Sequence, residues 1–479
     1  MELELSMEIR VDSYEAGTGR VGGLATFHNA LYPQLAKTGF SIKTFSMNLS
    51  GDLPTREDFE GIIIRRPPYH IDLDTAYVHL YDVLHQLGID VSYLRKGQLS
   101  FSPNYFTGFV CVPTAYRMAT IDLFIPNDWF SYVRSALNSW IHPDLCQQIF
   151  IHSTEPGRTG GVYHANFKGH VSDKLIEDEF NLRRGNAFSS FTSGQRFIRD
   201  LEFPLTYRIL KKLQNNAVIF AVSKIHRKEY LFGVKLHGGR IGEIDDRVFA
   251  IYHGIDPNFF KPDSKVEKLS DFTIGFIGRS SQVKGIHILP DLASLLVKKI
   301  PELKMHIVTA ADQRNPEYLY LLKRIHELNL NGIVELDNTF YVGPSKAELF
   351  NKWHLMICPS LYEPQGQIDL EAMSSGVPPL VGLGGLREKV VDGYDGVWIN
   401  PYDANEIAEK VIELYQGHYK GVTLEDMAKN GRDSAENVWD WKKRAEAHKE
   451  VIQYLEDGLI DHIEPELDEL MLPKVDLKA

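Results

Sequence analysis

The amino-acid sequence predicts an α/β fold with two doubly wound parallel sheets, one in each half of the chain. The chain has 479 residues, more than the roughly 250–300 at which a single hydrophobic core stops growing, so two domains are expected. Short apolar runs alternate with segments of helical periodicity, and buried parallel strands have this form. In such folds ligands bind at the carboxyl ends of the strands, where functional residues are therefore expected.

The N-terminal half begins its alternation with a glycine turn. Residues 21–27 contain this turn and lead into a helical pattern that carries Leu31 and Leu35. The apolar runs that predict strands in this half are 42–45, 62–64, 123–125, 149–151 and 218–222. Their spacing leaves room for crossover helices, which parallel strands require.

The C-terminal half repeats the pattern with more regular spacing. Strands are predicted at 272–277, 305–308, 334–336, 355–358 and 379–381. Helical periodicity predicts helices over 286–300 and 316–328, and a long terminal helix over 436–455. The two series of strands and helices predict two Rossmann-like domains.

The boundary between the two strand series is predicted in the polar stretch 257–270, which contains two prolines. We therefore expect one domain over 1–260 and a second over 261–435. A C-terminal helix within 436–460 is expected to pack back on the first domain. The tail over 461–479 is acidic and lacks periodicity, which favours disorder.

The charge of the chain excludes one class of partner. Hydrophobic residues make up 43% and charged residues 24%, which is ordinary for a globular protein. The formal net charge is −12, which argues against electrostatic binding of nucleic acid. A bound polyphosphate would therefore need a local basic cluster.

Cysteine usage and the absence of long apolar windows bear on the compartment. Cys111, Cys146 and Cys358 are widely spaced without a Cys-x-x-Cys pair, which favours reduced thiols over a disulfide or zinc framework. The first residues lack the basic and apolar regions of a signal peptide. No window approaches the roughly 20 apolar residues of a spanning helix. We expect a cytoplasmic protein without a membrane span.

Two carboxylates flank a glycine turn that follows the predicted strand 355–358. Glu363 precedes the turn at Gly366, and Glu371 lies in a helix that should end near Gly376. Glycine lets the backbone approach a ligand closely, and free N–H groups at a helix start suit an anion. The two carboxylates can then meet a sugar on one side and a ribose diol on the other. By spacing alone, an ordinary helix-terminal charge with a solvated glutamate is an equally good interpretation.

The segment 363–371 resembles the Glu-x7-Glu motif of retaining glycosyltransferases with the GT-B fold, among them the glycogen and starch synthases. Four further segments resemble motifs of this family, in the family's order: 222–223, 253–256, 278–285 and 384–388. Each glycine turn alone is a weak signal, whereas the ordered set is a strong one. The resemblance implies two Rossmann-like domains that face a central cleft.

The resemblance also implies a donor site in the C-terminal domain. Arg279 and Lys284 would hold the pyrophosphate of a nucleotide-sugar and supply the local positive charge. Glu363 would lie beside the transferred sugar, and Glu371 would bind the ribose. The remaining donor-binding residues would be Gly278, Gly366, Gln367 and Ile368, of which Gly366 and Gln367 would offer backbone N–H groups.

On the N-terminal side the resemblance is to bacterial-type glycogen synthases. The loop with Arg20, Gly22 and Gly23 resembles their Lys-x-Gly-Gly-Leu loop, whose backbone amides would reach the distal phosphate. Asp128 stands where their aspartate contacts the sugar. His152 follows a predicted strand and matches their active-site histidine, although a lone histidine at a strand end is more often structural. The candidate catalytic residues are His152, Arg279, Lys284 and Glu363.

These matches predict a transferase that moves a hexose, with glucose favoured, from ADP- or UDP-glucose with retention of configuration. The favoured acceptor is an oligo- or polysaccharide, an α-1,4-glucan elongated as by a glycogen synthase. The alternatives are a small sugar, as in trehalose- or sucrose-type synthases, a lipid, or a GT-B protein that has lost turnover and binds or regulates. No metal or cofactor is expected beside the nucleotide-sugar, and a homo-oligomer is left open.

Departures from the family pattern affect the substrate more than the mechanism. Arg20, Phe130, Gln365 and Gln367 stand where the family has a lysine, a histidine, a small or aromatic residue and a leucine. Phe130 concerns the acceptor side, whereas Gln367 lies where the donor sugar is recognised.

Three other segments admit competing interpretations. The triplet 72–74 could be the metal-binding Asp-x-Asp of another glycosyltransferase fold, but such a triplet is common by chance. The basic and aromatic stretch 183–212 could lie on a membrane, although acidic residues upstream favour a solvated face or an acceptor-side loop. The aromatic residues of 154–199 could line an acceptor cleft, or they could belong to an inserted helical subdomain.

Overall fold

Two sheets, one of them wholly parallel and the other parallel except for one edge pair, lie in the two halves of the described chain, as the apolar runs predict. The computed structural model describes residues 7–13, 16–17, 23–46, 53–66, 121–127, 129–152, 193–280, 282–309 and 315–463. Arg20, Gly22, Asp128 and the triplet 72–74 lie outside these ranges. The structure therefore leaves those predictions untested.

The first sheet has eight strands within the described residues, in the order β3-β4-β2-β1-β5-β6-β7-β8. Its strands are β1 (Glu8–Asp12), β2 (Ser41–Phe45), β3 (Arg56–Phe59), β4 (Ile62–Arg65), β5 (Leu123–Pro126), β6 (Cys146–Ile151), β7 (Ala217–Ala221) and β8 (Val248–Ala250). All neighbours are parallel except β3 and β4. Every residue of the inner strand β7 is buried, which explains its continuous apolar run.

Helices cover this sheet and connect its strands. They are α1 (Gly23–Lys37), α2 (Trp129–Ile141), α3 (Ser193–Leu213) and α4 (Lys224–Leu236). Short 3₁₀ turns follow at Gln214–Asn216, Ile241–Glu243 and Asp245–Arg247.

In the described part of the chain, the second sheet has six parallel strands in the order β11-β10-β9-β12-β13-β14. Its strands are β9 (Phe272–Ile277), β10 (Leu303–Val308), β11 (Val334–Asp337), β12 (Leu355–Cys358), β13 (Pro379–Val381) and β14 (Val397–Trp398). Its helices are α5 (Leu289–Leu296), α6 (Pro316–Glu327), α7 (Pro344–Asn351), α8 (Ile368–Ser374), α9 (Ala404–Tyr415) and α10 (Leu424–Asn437), and they are followed by α11 (Trp441–Glu456). The 3₁₀ turns are Gln282–Lys284, Ile286–Ile288, Gly385–Glu388 and Ile460–His462.

Two predicted helices are wrong in their bounds. The helix expected over 286–300 starts with a 3₁₀ turn, and the α-helix covers only Leu289–Leu296. The helix expected over 436–455 is two helices. The chain between them is extended because Ile255 exchanges backbone hydrogen bonds with Trp439 and Trp441, at 2.7 and 3.0 Å. The Asp440 side chain then caps α11 by accepting from the N–H of Lys442.

The last long helix packs against the first one. The ring centroids of Phe27 in α1 and Trp441 in α11 lie 5.9 Å apart. Ala445 and Val451 of α11 share one buried cluster with Leu31 of α1. The C-terminal end of the described chain therefore covers the N-terminal sheet.

The order of the strands reverses beside the first strand of each sheet. β1 lies between β2 and β5, and β9 lies between β10 and β12. Loops at such a switch point leave a crevice in which ligands of doubly wound sheets bind. The loops that follow β9 and β12 carry Arg279, Lys284 and Glu363.

Candidate active site

The loops after β9 and β12 lie directly against each other. The N–H of Leu361 donates to the carbonyl oxygen of Val283 at 2.8 Å. Gly285 has φ +70°, and a Cβ at this position would lie 1.7 Å from the carbonyl oxygen of Pro359. Only glycine allows this approach, because any side chain would overlap the neighbouring backbone.

This approach brings two of the predicted catalytic residues together. The ammonium of Lys284 donates to the carboxylate of Glu363, and their side chains are 23% and 14% exposed. Burial lowers the pKa of Lys284, but the Glu363 and Cys358 charges outweigh this effect, and the pKa is raised. Arg279 is exposed at the end of β9. Its charge also acts on Lys284, so the crevice holds two cations beside one carboxylate.

Three glycines shape the backbone around Glu363. Gly366 has φ +77°, and a Cβ there would lie 3.1 Å from Cγ of Glu363. Gly384 has φ +90°, and its Cβ would lie 2.2 Å from the carbonyl oxygen of Glu363. The same oxygen accepts from the N–H of Gly385 at 2.8 Å. The glycine pair 384–385 therefore packs against the backbone of Glu363 and holds its carbonyl group in place.

Glu371 lies in α8 and has a cation beside it. Its Oε2 is 2.6 Å from Nζ of Lys346 in α7, and the two side chains are 8% and 22% exposed. A nearly buried carboxylate is costly unless a charge or hydrogen bonds compensate it. Lys346 supplies this compensation. Glu371, the residue predicted to bind ribose, is therefore paired with a cation.

His152 lies at the end of β6, among aromatic rings. Its Nε2 is 2.9 Å from Oδ1 of Asn127, while its Nδ1 is buried and has no hydrogen-bond partner among the residues that the structure describes. The Phe27 ring meets the imidazole edge-on at 4.7 Å. Burial first, and His226 second, lower the pKa of His152 to about 3. The imidazole is therefore neutral at physiological pH.

His253 connects His152 to the Glu363 loop. The His152 and His253 rings lie 5.4 Å apart, and the carbonyl oxygen of His253 accepts from Nε2 of Gln365 at 3.4 Å. His226 and His448 are also buried. We call these four residues the histidine cluster, and burial lowers the pKa of each.

Residues of the two halves also meet at the start of α4. The Glu388 carboxylate accepts from the N–H groups of Lys224 and Ile225, at 2.8 and 2.7 Å. The Ser223 hydroxyl donates to the carbonyl oxygen of Pro364 at 2.5 Å. Burial raises the pKa of Glu388, although a hydrogen bond from Tyr252 opposes this. The motif segments 222–223 and 384–388 are therefore joined next to Glu363.

The remaining donor-side predictions have different outcomes. Gly278 donates its N–H to the carbonyl oxygen of Val308 at 3.1 Å, so this N–H serves the sheet. Gln367 precedes α8, Ile368 begins it, and the helix has only seven residues. Gly23 is the first residue of α1. No contact tests the roles proposed for these residues, which stay predictions.

Lys346 and a second buried pair, Asp369 and Lys389, are functional candidates that the sequence did not predict. Both side chains of that pair are 0% exposed, with Nζ 2.7 Å from Oδ1. Burial raises the pKa of Asp369, and Lys389 opposes the shift. A polar residue in the first turn of a helix gives no local indication of which residue will pair with it. The one available signal was that Asp369 lies on an otherwise apolar helix face, which indicates that some opposite charge must be near it.

Within the described residues, metal sites and membrane-spanning helices are two further features that bear on function. In these ranges no group of three or more His, Cys, Asp and Glu side chains is arranged to hold a metal ion. No helix in the same part of the chain is long and apolar enough to cross a bilayer.

The two Rossmann-like domains and their strand orders define the GT-B fold. Sucrose-phosphate synthase of Thermosynechococcus elongatus superposes with a TM-score of 0.64 at 18% identity, covering 94% of this chain and 99% of that one. HepE of Anabaena, solved in complex with UDP-glucose, superposes with a TM-score of 0.56 at 18% identity, covering 93% and 99%. At this level of identity the likeness establishes the fold.

Sequence comparison identifies the second domain more closely. Residues 258–434 match the family Glycosyl transferases group 1. An uncharacterised glycosyltransferase of Methanocaldococcus jannaschii is 24% identical over 425 residues, covering 84% of this chain and 87% of that protein. Other curated relatives match over 44% to 56% of their own length. Over residues 258–434 the C-terminal domain is similar to the group 1 glycosyl transferases.

Proposed function

We propose that the chain is a retaining hexosyltransferase that moves glucose from ADP-glucose or UDP-glucose to a sugar acceptor. The observation that carries this proposal is the contact of Lys284 with Glu363 at the strand switch point of the second sheet. Both residues lie within the stretch that matches the group 1 glycosyl transferases. The UDP-glucose complex of HepE supports UDP-glucose as a donor.

The charge-separating step is cleavage of the bond between the sugar and the diphosphate. The diphosphate leaves with the bonding electron pair, and Arg279 and Lys284 stabilise its growing negative charge. Fixed charges of this kind often provide the largest single contribution to catalysis. The sugar becomes electron-poor, and the carboxylate of Glu363 beside it stabilises that positive charge. With these cations in place, we expect no metal requirement.

Retention follows if the acceptor hydroxyl attacks from the face that the diphosphate leaves. The hydroxyl forms the new glycosidic bond, and a phosphate oxygen of the leaving diphosphate takes its proton. The imidazole of His152 is neutral, and its Nδ1 bonds to no group within the described ranges of the chain, so it suits a hydrogen bond to a sugar hydroxyl. A charged imidazolium in that place would instead attract the diphosphate. His152 therefore serves to orient the sugar.

Two acceptor classes follow from different observations. The motifs of the sequence favour an α-1,4-glucan, as in glycogen synthases. The likeness to a sucrose-phosphate synthase, at 18% identity, supports a small sugar or sugar phosphate as the other class. A GT-B protein that has lost turnover is the alternative outside enzymes.

One assay separates these possibilities. Purified full-length protein is incubated with ADP-glucose or UDP-glucose and with glucose, glucose 6-phosphate, fructose 6-phosphate or maltooligosaccharides. Release of the nucleoside diphosphate and the new product are measured, with Glu363→Gln as the control for contaminating activity. We expect acceptor-dependent release that is strongly reduced in the control. Growth of maltooligosaccharides by single units would select the glucan, whereas no release above the control with any pair would favour the binding protein.

The stereochemistry is tested in the same reactions. With an α-linked nucleotide-glucose, the first-formed product should carry an α linkage. Proton NMR of the anomeric signal, recorded before any exchange, measures this directly. A β-linked first product would contradict retention and the roles given to Glu363 and Glu371.

A further inference from the structure

A buried ion pair lies beneath the Gly366 turn. Nζ of Lys389 is 2.7 Å from Oδ1 of Asp369, and both side chains are 0% exposed. The same Nζ donates to the carbonyl oxygen of Gly366 at 2.8 Å. Lys389 therefore joins the start of α8 to the turn that follows Glu363.

Stability alone is a weak reason for this pair. Removing two charges from water costs several kcal/mol per ion, and apolar residues of similar volume are often as stable or more stable. The surroundings are those of a core, since Leu370 and Leu386 beside the pair are buried. Two apolar side chains would fit this environment equally well. The charges of Asp369 and Lys389 therefore indicate a role in the neighbouring Glu363 loop.

The contact with Gly366 identifies that requirement. A trans peptide is planar, so its C=O and N–H groups point in opposite directions. The ammonium of Lys389 fixes the carbonyl of Gly366 toward the buried side, and the N–H of Gln367 then points away from it. Gly366 is partly exposed and lies next to Glu363. The N–H of Gln367 is thereby directed toward the open side of the Glu363 loop.

We propose that Lys389 and Asp369 are positioning residues that aim the Gln367 N–H at the donor. Lys389 orients the Gly366–Gln367 peptide, and Asp369 holds Lys389 in place and balances its charge. The cation also polarises the peptide, which strengthens the opposite N–H as a hydrogen-bond donor. This inference rests on the proposed transferase function.

The test must avoid leaving a lone charge in the core. The double variant Asp369→Leu/Lys389→Met removes both charges at similar volume. The swapped variant Asp369→Lys/Lys389→Asp keeps an ion pair but places a carboxylate beside the carbonyl of Gly366. The matched control is Lys323→Gln/Glu327→Gln, which removes an exposed ion pair on α6. In the native protein, Nζ of Lys323 lies 3.7 Å from Oε1 of Glu327.

The kinetic readout is kcat and donor KM, with Tm measured on each variant. Removing one N–H group that points at the reacting substrate typically lowers the rate by about 10²–10³. A misdirected Gln367 N–H should therefore lower kcat by about tenfold to a hundredfold. We expect this loss in both the double and the swapped variant, with the donor KM changed less than threefold. Normal kcat in the folded double variant, or restored kcat in the swapped one, would overturn the proposal.

A second readout does not require turnover. Hydrogen exchange of the Gln367 amide is followed with and without UDP-glucose and ADP-glucose. The native protein should show donor-induced protection of this amide, and the double variant should lose it. If the native protein binds the nucleotide-sugar and the Gln367 amide is not protected, the inference is refuted. A native protein that binds no donor would refute the inference and the proposed function together, whereas protection without transfer would count against the function alone.

Discussion

Replacing Lys284 by Met tests the central electrostatic claim. The substitution removes a cation that lies against Glu363 and keeps a side chain of similar length. The native ammonium should stabilise the leaving diphosphate more in the transition state than in the bound donor, because charge grows as the bond breaks. We therefore expect kcat to fall much more than donor affinity.

The size of the effect follows from the position of the charge. Two unit charges at about 4 Å interact by about 4 kcal/mol at an effective dielectric constant of about 20. The Lys284 side chain is 23% exposed, so solvent screens part of this energy. About 3–4 kcal/mol corresponds to a loss of about 10²–10³ in kcat.

The assay compares initial rates of nucleoside diphosphate release at saturating donor. Lys284→Arg is the matched control, because it keeps the charge and should retain much of the rate. Tm measurements on both variants exclude unfolding as the cause. Turnover of Lys284→Met within a few-fold of the native value would show that the diphosphate is stabilised elsewhere.

Three other predictions concern packing, pH and metals. Gly285→Ala should destabilise the fold by about 2–5 kcal/mol in urea unfolding, since it combines left-handed strain with overlap; Gly332→Ala, with φ +82° and open space, should cost less, and equal costs would contradict the close approach. The free energy of unfolding should fall below about pH 6.5, because five buried histidines are neutral in the folded protein and take up protons only on unfolding. The fall should be at most about 7 kcal/mol per pH unit for the five residues. A urea midpoint that does not change between pH 7 and 5 would contradict this prediction. The five are His28, His152, His226, His253 and His448. A chelator should leave transfer unchanged, and loss that Mg²⁺ restores would favour the metal interpretation of 72–74.

The direction of the pH effect follows from the histidine cluster. Folded pKa values near 3, as for His152 and His448, lie below the unfolded value of about 6.5. The stabilisation is therefore complete above that value and is lost as the pH falls. His448→Phe should reduce the slope, because one fewer histidine takes up a proton on unfolding.

Segment-level features of this protein were determined by its sequence. The strands β9 and β12 and the helix α6 lie within one residue of their predicted bounds. The positions of Arg279, Lys284 and Glu363 after strands were also correct. Apolar runs and helical periodicity report burial, which each segment expresses by itself.

Only the tertiary structure decided which segments meet. Lys284 and Glu363 are 79 residues apart in sequence, and they touch because β9 and β12 are neighbours. Asp369 meets Lys389, and Lys346 meets Glu371, without any local signal of either pairing. The break before α11 likewise depends on Ile255, far away in the chain. Periodicity encodes which face of a segment is buried but not what covers it, because the partner of a buried charge is selected by packing between distant segments.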